Sequence, residues 1–247
     1  MTRRAIMIGS PGPKNSVTYL KGVDTDLHHF VSFLKSPVGG SWEDEEIAGF
    51  YNGLSEYLIE LFQSTNTDFL LVYFSGHGHQ DLKETNIAIN DTESISISQL
   101  ISLINAPKAL IIIDCCRKFI DEEYSGFSGP EYLSFKALLD QPNTRDRYMQ
   151  LISESTNGIA IAYSCSVGEY SGDTELGGSY TYSLLKTSLQ WNENQNNDGV
   201  LSISDANDLA HEHLKIKSNF EQNPQIRTLS AKSENLNLPF AIKKNSL

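Results

Sequence analysis

The chain reads FLLVYFSGHGH at residues 69–79 and ALIIIDCCR at residues 109–117. Each stretch begins with an uncharged run of branched and aromatic residues, which is typical of a strand buried on both faces of a parallel sheet. Each run leads directly into polar residues that can do chemistry. Because open parallel sheets bind ligands beyond the carboxyl ends of their strands, we expect His77 and Cys116 to meet over one substrate. This arrangement indicates a cysteine hydrolase.

The composition of the 247-residue chain predicts one large α/β domain, since 39% of its residues are hydrophobic and no Pro- or Ser-rich linker divides it. The formal net charge of −12, without a basic stripe, argues against nucleic acid as a partner and favours basic substrates. Only a few apolar residues lie between Arg4 and Gly9, so we expect no signal peptide, no membrane partner and a cytoplasmic location. The cysteines, Cys115, Cys116 and Cys165, have neither disulfide-framework nor zinc-ligand spacing, which indicates reduced thiols.

Apolar periodicity along the chain predicts alternating strands and helices. The expected strands are Ala5–Gly9, Phe69–Phe74, Asn86–Asn90, Ala109–Ile113 and Ile159–Cys165. The expected helices are Tyr19–Leu34, Leu54–Phe62, Tyr180–Trp191 and Ser204–Ile216, with a further helix from Ile97 that Ser96 is placed to cap. This alternation predicts a mainly parallel central sheet flanked by helices. From Asp121 to Gly158 the pattern loosens into a segment longer than an ordinary connection.

Two motifs, Ser75-Gly76-His77-Gly78 and Asp114-Cys115-Cys116, resemble the catalytic segments of the caspase and metacaspase superfamily of cysteine peptidases. Further matching segments are YLKGVDTD at 19–26, SCS at 164–166, GGSYT at 177–181 and NPQ at 223–225. The chain looks like a prokaryotic caspase-like protein, closest in motif to metacaspases. The resemblance implies one caspase-like three-layer α/β domain over residues 1–247. Its parts are a large-subunit-like half at 1–120, an intersubunit-like linker at 121–157 and a small-subunit-like half at 158–247.

The predicted catalytic pair is Cys116 and His77. A free thiol is only slightly ionised at neutral pH, so a nucleophilic cysteine needs a neighbouring imidazole. An imidazole can accept the thiol proton and later protonate the leaving amine. The resemblance implies that the backbone amides of Gly78 and Cys116 form the oxyanion hole, and a residue without a side chain lets its amide approach the substrate carbonyl.

The choice between the two adjacent cysteines follows from strand geometry. Successive side chains on a strand face opposite sides, so only one of Cys115 and Cys116 can face His77. The metacaspase pattern Asp-Ser-Cys places Cys116 in the nucleophile position. Cys115 and Cys165 are then expected to be small buried residues, and His79 a rim residue. The alternative is that His77 is an ordinary loop residue and Cys116 a core residue, but both follow strand ends where α/β sheets place their sites.

The resemblance also bears on the residue that precedes the cleaved bond. Caspases that cut after Asp have an Arg where this chain has Leu20, so the cation for an acidic side chain is missing. The residues that match the metacaspase specificity pocket are Asp26, Asp114, Ser75 and Val23. Two carboxylates in a partly buried pocket bind a cation strongly, which predicts cleavage after Arg or Lys. In the alternative, Asp26 caps or ion-pairs the first helix, Asp114 simply ends a strand, and the pocket prefers an apolar residue.

The linker offers basic residues for self-processing at Lys136, Arg145 and Arg147. Exposed polar segments are where proteolytic nicking concentrates, and some family members carry a cleavable linker. The alternative is an uncut surface loop beside the active site.

A weak calcium motif lies between the last two predicted helices. Asn194, Asn196, Asp198 and Asp205 have the oxygen spacing of an EF-hand loop. The match is degraded, because the first ligand is Asn and the last is Asp in place of a bidentate Glu. The alternative is a helix-entry turn rich in Asn, Asp and Gly. The sequence therefore predicts no required cofactor, with Ca²⁺ activation as an option from the resemblance to metacaspases.

The expected partner is a protein or peptide substrate, with an activating protein as a further candidate. By analogy with small caspase-like peptidases, the context would be a regulated cell-death or defence pathway. One alternative is a catalytically silent scaffold, which the presence of both His77 and Cys116 argues against. Another is a cysteine hydrolase with a non-protein substrate, although the chain has no Gly-rich phosphate loop.

Overall fold

The computed structural model describes residues 1–119, 133, 143–193, 199–217, 221–230 and 236–243. Its helices α1–α6 are Gly22–Lys35, Ser55–Gln63, Ile97–Ser102, Arg145–Glu154, Ser179–Glu193 and Ile203–Lys217. Its strands β1–β13 are Arg3–Ser10, Ile47–Tyr51, Phe69–Gly76, Gly78–Gln80, Thr85–Ala88, Ser94–Ser96, Lys108–Asp114, Gly158–Tyr163, Asp173–Thr174, Gly177–Gly178, Val200–Ser202, Gln225–Leu229 and Pro239–Ile242. Among these residues, no helix combines the length and the apolar composition that a membrane crossing requires.

A six-stranded sheet forms the middle layer, in the order β12-β8-β7-β3-β1-β2. All its neighbouring strands pair in parallel except the edge strand β12, which is antiparallel to β8. The predicted α/β fold with a mainly parallel sheet is confirmed. The register between β3 and β7 pairs Ser75 with Asp114, so the residues that follow both strands leave the sheet at the same edge.

Alternation along the central strands sends side chains into a separate core on each face of the sheet. Leu71 and Tyr73 of β3 lie on the face covered by α1, α4, α5 and α6. Leu70 and Val72 lie on the opposite face, which α2 and α3 cover. Burying one such side chain stabilises the fold by about 1.5–3 kcal/mol, so the long apolar strands favour this three-layer arrangement.

Ser96 caps α3, as the sequence predicts. Its hydroxyl accepts a hydrogen bond from the Gln99 amide at 3.1 Å, and the Gln99 side chain accepts one from the Ser96 amide at 2.8 Å. This reciprocal pairing is a capping box, which satisfies two amides at the helix start.

Helix α1 begins at Gly22 and not at Tyr19, where periodicity placed it. The preceding residues form turns, in which the Leu20 amide donates to the Pro11 carbonyl at 2.9 Å and the Tyr19 amide donates to the Ser16 carbonyl at 3.2 Å. These bonds fold residues 11–20 into a loop beside the end of β1. Apolar periodicity places Tyr19 and Leu20 of this loop in the helix because these residues continue the helical spacing of apolar side chains.

The predicted linker contains a helix that the sequence pattern did not indicate. Helix α4 lies inside the segment 121–157 and is held by tertiary contacts. Tyr148 is fully buried, and its hydroxyl donates to the Pro239 carbonyl at 3.0 Å. Arg145 donates to both carboxylate oxygens of Glu46, at 2.6 and 2.7 Å. The segment is therefore joined to the core at Leu133 and from Thr144 onward, while residues 120–132 and 134–142 lie outside the described part of the chain.

Candidate active site

A pocket of about 830 Å³ opens at the carboxyl ends of β3 and β7. Four stretches of chain line it, at 17–21, 75–77, 114–116 and 170–175, together with Asp26 and Gly178. The loop before α1, the ends of two central strands and the segment before α5 thus converge on one space. Its size lies in the range of sites that bind substrates.

His77 directly follows β3, and a single bond to the loop at 11–20 orients its ring. The His77 Nε2 atom lies 2.7 Å from the Thr18 carbonyl oxygen. A carbonyl can only accept, so Nε2 donates, and in the neutral ring Nδ1 remains as the acceptor. Gly12 lies against this ring with a φ of 83°, and a Cβ there would be 2.9 Å from Nε2. The loop therefore fixes both the tautomer and the orientation of the imidazole.

The two adjacent cysteines have different surroundings. Cys115 is 2% exposed and belongs to the core cluster on the α2 and α3 face, whereas Cys116 is only partly buried. A Cβ on Gly78 would lie 2.3 Å from the Cys115 sulfur. Position 78 therefore requires glycine because of its close packing against Cys115. This requirement is independent of the predicted role of Gly78 in the oxyanion hole. Cys165 is fully buried, and its thiol lies 3.4 Å from the Cys115 carbonyl oxygen.

The Cys116 sulfur contacts the main chain of Ser171. The Ser171 amide donates to the sulfur at 3.4 Å, and the thiol donates to the Ser171 carbonyl at 3.6 Å. Burial raises the pKa of Cys116 to about 11, and the charges of Asp114 and Asp173 also raise it. The hydrogen bond from the Ser171 amide lowers the pKa and so partly opposes this rise. At neutral pH the resting group is therefore a thiol.

Asp26 faces the pocket from α1 and is buried. Its carboxylate accepts from the Ser75 hydroxyl at 2.8 Å and from the Gly178 amide at 2.8 Å. Burial raises the pKa of Asp26 well above its usual range, and the charge of Asp114 raises it further. Among the described residues, Asp26 neither caps α1 nor forms an ion pair, contrary to the alternative drawn from the sequence. Its ionised form gains stability when a cation enters the pocket.

Asp114 ends β7 and shares the pocket with Asp26. Its Oδ1 accepts from the Ser171 hydroxyl at 2.6 Å. Its Oδ2 accepts from the Thr181 amide at 3.0 Å and from the Thr181 hydroxyl at 2.6 Å. Burial raises the pKa of Asp114, and these hydrogen bonds partly oppose that rise. Its carboxylate thus does more than end a strand, because three donors hold it at the pocket wall.

A third carboxylate, that of Asp173, also lines the pocket, although no motif in the sequence indicates it. Burial and the charge of Asp114 raise the pKa of Asp173 to about 7. Hydrogen bonds with the backbone amides of Gly22 and Thr174 lower the pKa and so partly oppose this rise. The only signal in the sequence was an acid shortly before the Gly177-Gly178 pair that matches the family. Its segment is too short and polar for periodicity to place it.

Three predicted positions, Val23, Gly78 and His79, lie away from the pocket lining that the described residues form. Val23 is buried in α1 and contributes no lining, so its assignment to the specificity pocket is corrected. Its side chain lies inside because α1 turns this face toward the core. His79 lies on β4, opposite Asn86 of β5, and does not line the pocket either. Leu20, which stands where acid-specific caspases have Arg, does line it.

The predicted self-processing and calcium residues fall largely elsewhere. Arg145 and Arg147 are in the first turn of α4, and a helix anchored by the Glu46 pair lacks the loop structure that nicking needs. Lys136, Asn194, Asn196 and Asp198 lie outside the described residues. The Asp205 amide donates to the Ser202 hydroxyl at 3.1 Å, which is the geometry of a helix start at α6. Within the described ranges, no group of three or more His, Cys, Asp or Glu residues is arranged to hold a metal ion.

The fold and the site define a class of protein, an α/β domain that presents a histidine and a cysteine at the ends of adjacent parallel strands. The chain belongs to the caspase-domain family of peptidase C14, whose model matches residues 2–235. A solved structure of caspase-1 from Spodoptera frugiperda is similar to this chain with a TM-score of 0.60 and 17% identity. The similarity covers 99% of this chain and 91% of that one, and it shows a shared fold. No curated protein matches the sequence.

Proposed function

We propose that this protein is a cysteine endopeptidase that uses Cys116 and His77 to cleave peptide bonds after Arg or Lys. The observation that carries the proposal is one pocket that contains both groups and three largely buried carboxylates. Membership of the caspase-domain family supports the reaction class. The three carboxylates, those of Asp26, Asp114 and Asp173, form what we call the acid floor of the pocket, and they support the preference for a cation.

The catalytic steps follow from the atoms that are available. His77 Nδ1 accepts the thiol proton of Cys116 as the sulfur attacks the scissile carbonyl, forming a C–S bond and an oxyanion. Amides at Gly78 and Cys116 would stabilise that oxyanion. The imidazolium then protonates the leaving amine as the C–N bond breaks, which leaves a thioester. Water, deprotonated by His77, hydrolyses the thioester and restores the thiol.

The specificity follows from charge and geometry at the pocket floor. Buried carboxylates resist ionisation unless a positive group neutralises them, and the pKa values of Asp26, Asp114 and Asp173 are all raised. An Arg or Lys side chain supplies that positive charge, and a planar guanidinium can bind a carboxylate through two parallel bonds. An Asp or Glu side chain would add a further negative charge and is expected to be rejected.

The test is hydrolysis of fluorogenic peptides that end in Arg, Lys, Asp or Leu. The wild type is expected to cleave only the Arg and Lys peptides, and Cys116→Ala and His77→Ala should reduce the rate by at least about 1,000-fold. Cys165→Ala is the matched control, because it removes a buried thiol that does not line the pocket. Preference for Leu or Asp would contradict the acid pocket, and activity that survives in Cys116→Ala would place the nucleophile elsewhere. Silence of the folded wild type toward every peptide would favour a scaffold.

The remaining expectations are separate proposals. The assay is run with and without Ca²⁺, because the residues at 194–198 leave calcium activation open while no cofactor is required by the proposed steps. Mass spectrometry of the incubated wild type and of Cys116→Ala tests self-cleavage after Lys136. A cytoplasmic location, an activating partner protein and a role in cell death or defence stay proposals that rest on analogy.

A further inference from the structure

Ser171 connects the acid pocket to the nucleophile. Its amide and its carbonyl both contact the Cys116 sulfur, at 3.4 and 3.6 Å. Its hydroxyl donates to Asp114 Oδ1 at 2.6 Å. One residue therefore holds the thiol with its main chain and the specificity carboxylate with its side chain.

Gln222 holds Ser171 from the other side. Its Nε2 atom donates to the Ser171 hydroxyl oxygen and to the Ser164 carbonyl, each at 3.0 Å. Its Oε1 atom accepts from the Gly172 amide at 3.3 Å. Gln222 is buried, so these bonds form away from bulk water, where an unmet polar group is costly.

The hydrogen bonds of Asp114 leave little room for a cationic side chain. A carboxylate offers about four lone-pair sites, and Ser171 and Thr181 already use three of them. A guanidinium that binds through two parallel bonds needs two sites, so one existing donor must leave. Thr181 is fixed in α5 and is 1% exposed, whereas Ser171 lines the pocket. The Ser171 hydroxyl is therefore the donor that yields.

We propose that Ser171 is a positioning residue that holds the Cys116 sulfur in its resting position and releases it when a cationic side chain binds Asp114. The identity of the cation rests on the proposed function above. When the hydroxyl leaves Asp114, the segment around Ser171 loses an anchor and its main-chain contacts with the sulfur loosen. The thiol is then free to turn toward His77. Substrate binding and activation of the nucleophile are thereby coupled.

The experiment measures the rate at which iodoacetamide alkylates Cys116 at pH 7.5, with the modified residue located by tandem mass spectrometry. The variants are Ser171→Ala, Ser171→Thr, which keeps the hydroxyl, and Ser188→Ala. The last is the matched control, because it removes a buried hydroxyl whose partner, within the described part of the chain, is the Leu184 carbonyl of the same helix. Each protein is measured with and without agmatine, a small guanidinium compound, and its thermal unfolding is recorded.

Alkylation of resting Ser171→Ala is expected to be about fivefold faster than that of the wild type, the factor that matches the loss of one ordinary hydrogen bond. Agmatine should accelerate the wild type by a similar factor and leave Ser171→Ala unchanged. Ser171→Thr and Ser188→Ala should behave like the wild type. Equal resting rates in Ser171→Ala and the wild type would overturn the positioning role. Equal acceleration of both by agmatine, or protection of the wild type, would overturn the coupling.

The readout separates this inference from the proposed peptidase, because alkylation requires no peptide cleavage. If agmatine does not raise the unfolding temperature of the wild type, the cation preference is wrong, and the resting rates still decide the role of Ser171. If Ser171→Ala does not fold, Gln222→Met provides the second variant. It removes the other partner of the hydroxyl and is expected to accelerate alkylation in the same direction, whereas a wild-type rate would contradict the proposal.

Discussion

Cys116 is held through buried residues from separate segments of the chain, whereas His77 is held by one exposed loop. On the nucleophile side, which comprises Asp114, Cys116, Ser171 and Gln222, every side chain other than that of Cys116 is at most 8% exposed as a residue. On the base side, which comprises His77 and the loop at 11–20, the Thr18 carbonyl orients the ring. Thr18 itself is exposed.

The difference shows how the charge state of Cys116 and the orientation of the His77 ring are set. Burial on the nucleophile side fixes a charge state, because polar groups away from water are stabilised only by one another. The loop on the base side fixes an orientation and contributes little to the core. Changes on the nucleophile side should therefore alter pH dependence and stability together, whereas changes on the base side should alter activity and cost no more stability than the local backbone strain that they introduce.

The largest expected effect is on the reactivity of the resting thiol. With a pKa of about 11, Cys116 has a thiolate fraction at pH 7 roughly 300-fold smaller than that of a free cysteine of pKa about 8.5. Its alkylation should be slower than that of a cysteine peptide by a similar factor, and the rate should keep rising between pH 6 and 10. A rate that stays high and flat down to pH 5 would instead show a preformed thiolate–imidazolium pair, and would remove the contrast between the two sides.

Asp114→Asn should lower kcat/KM for Arg and Lys peptides by about 100-fold, because it removes a buried charge that would pair with the substrate cation. Asp208→Asn, which removes an exposed acid from α6, is the control for net charge and should have no such effect. The measurement is steady-state cleavage of both peptide series. Equal losses for Arg and Leu peptides would show that Asp114 supports the fold of the pocket and does not read the substrate.

Gly12→Ala tests the base side. A Cβ at this position would lie 2.9 Å from His77 Nε2, so the ring must shift and kcat should fall by about tenfold. Gly168→Ala is the matched control, since its φ of 88° resembles the 83° of Gly12 and no atom lies within 4 Å of the added carbon. Both variants should lose about 1 kcal/mol of stability from left-handed backbone strain. If both lose activity equally, strain and not the His77 contact explains the effect.

Asp173→Asn has the smallest expected effect and concerns stability. The pKa of Asp173 is raised from 3.8 to about 7 in the folded state, so the folded protein binds the proton more tightly than the unfolded chain. The resulting stability is fully present below the unfolded pKa and is lost as pH rises toward 7. The free energy of unfolding of Asp173→Asn should therefore exceed that of the wild type by about 1–2 kcal/mol at pH 8 and by less at pH 5. Urea unfolding at both pH values measures the difference, and a variant less stable at pH 8 would contradict the assignment.

The strands that lead to His77 and Cys116 were predictable because their apolar runs are long enough to be buried on both faces. The same holds for α3, whose Ser96 cap is a local signal. Strands of two to five residues such as β2, β9 and β12 were missed, because they are too short or too polar for periodicity. Helix α4 was missed for a related reason, since its apolar stripe is short, comprising Tyr148, Leu151 and Ile152, and its start is held by the distant Glu46.

The sequence by itself determined the α/β class, the strands that end at His77 and Cys116, and the family resemblance. These depend on residues that are close together in the chain. Only the tertiary structure placed Asp173 in the pocket lining, left Val23 out of it, and brought the Ser171 main chain against the Cys116 sulfur. Ser171 is 55 residues from Cys116 and 51 from Gln222, and a contact across such separations depends on how whole elements close around the pocket. No local pattern of apolar and polar residues encodes that closure.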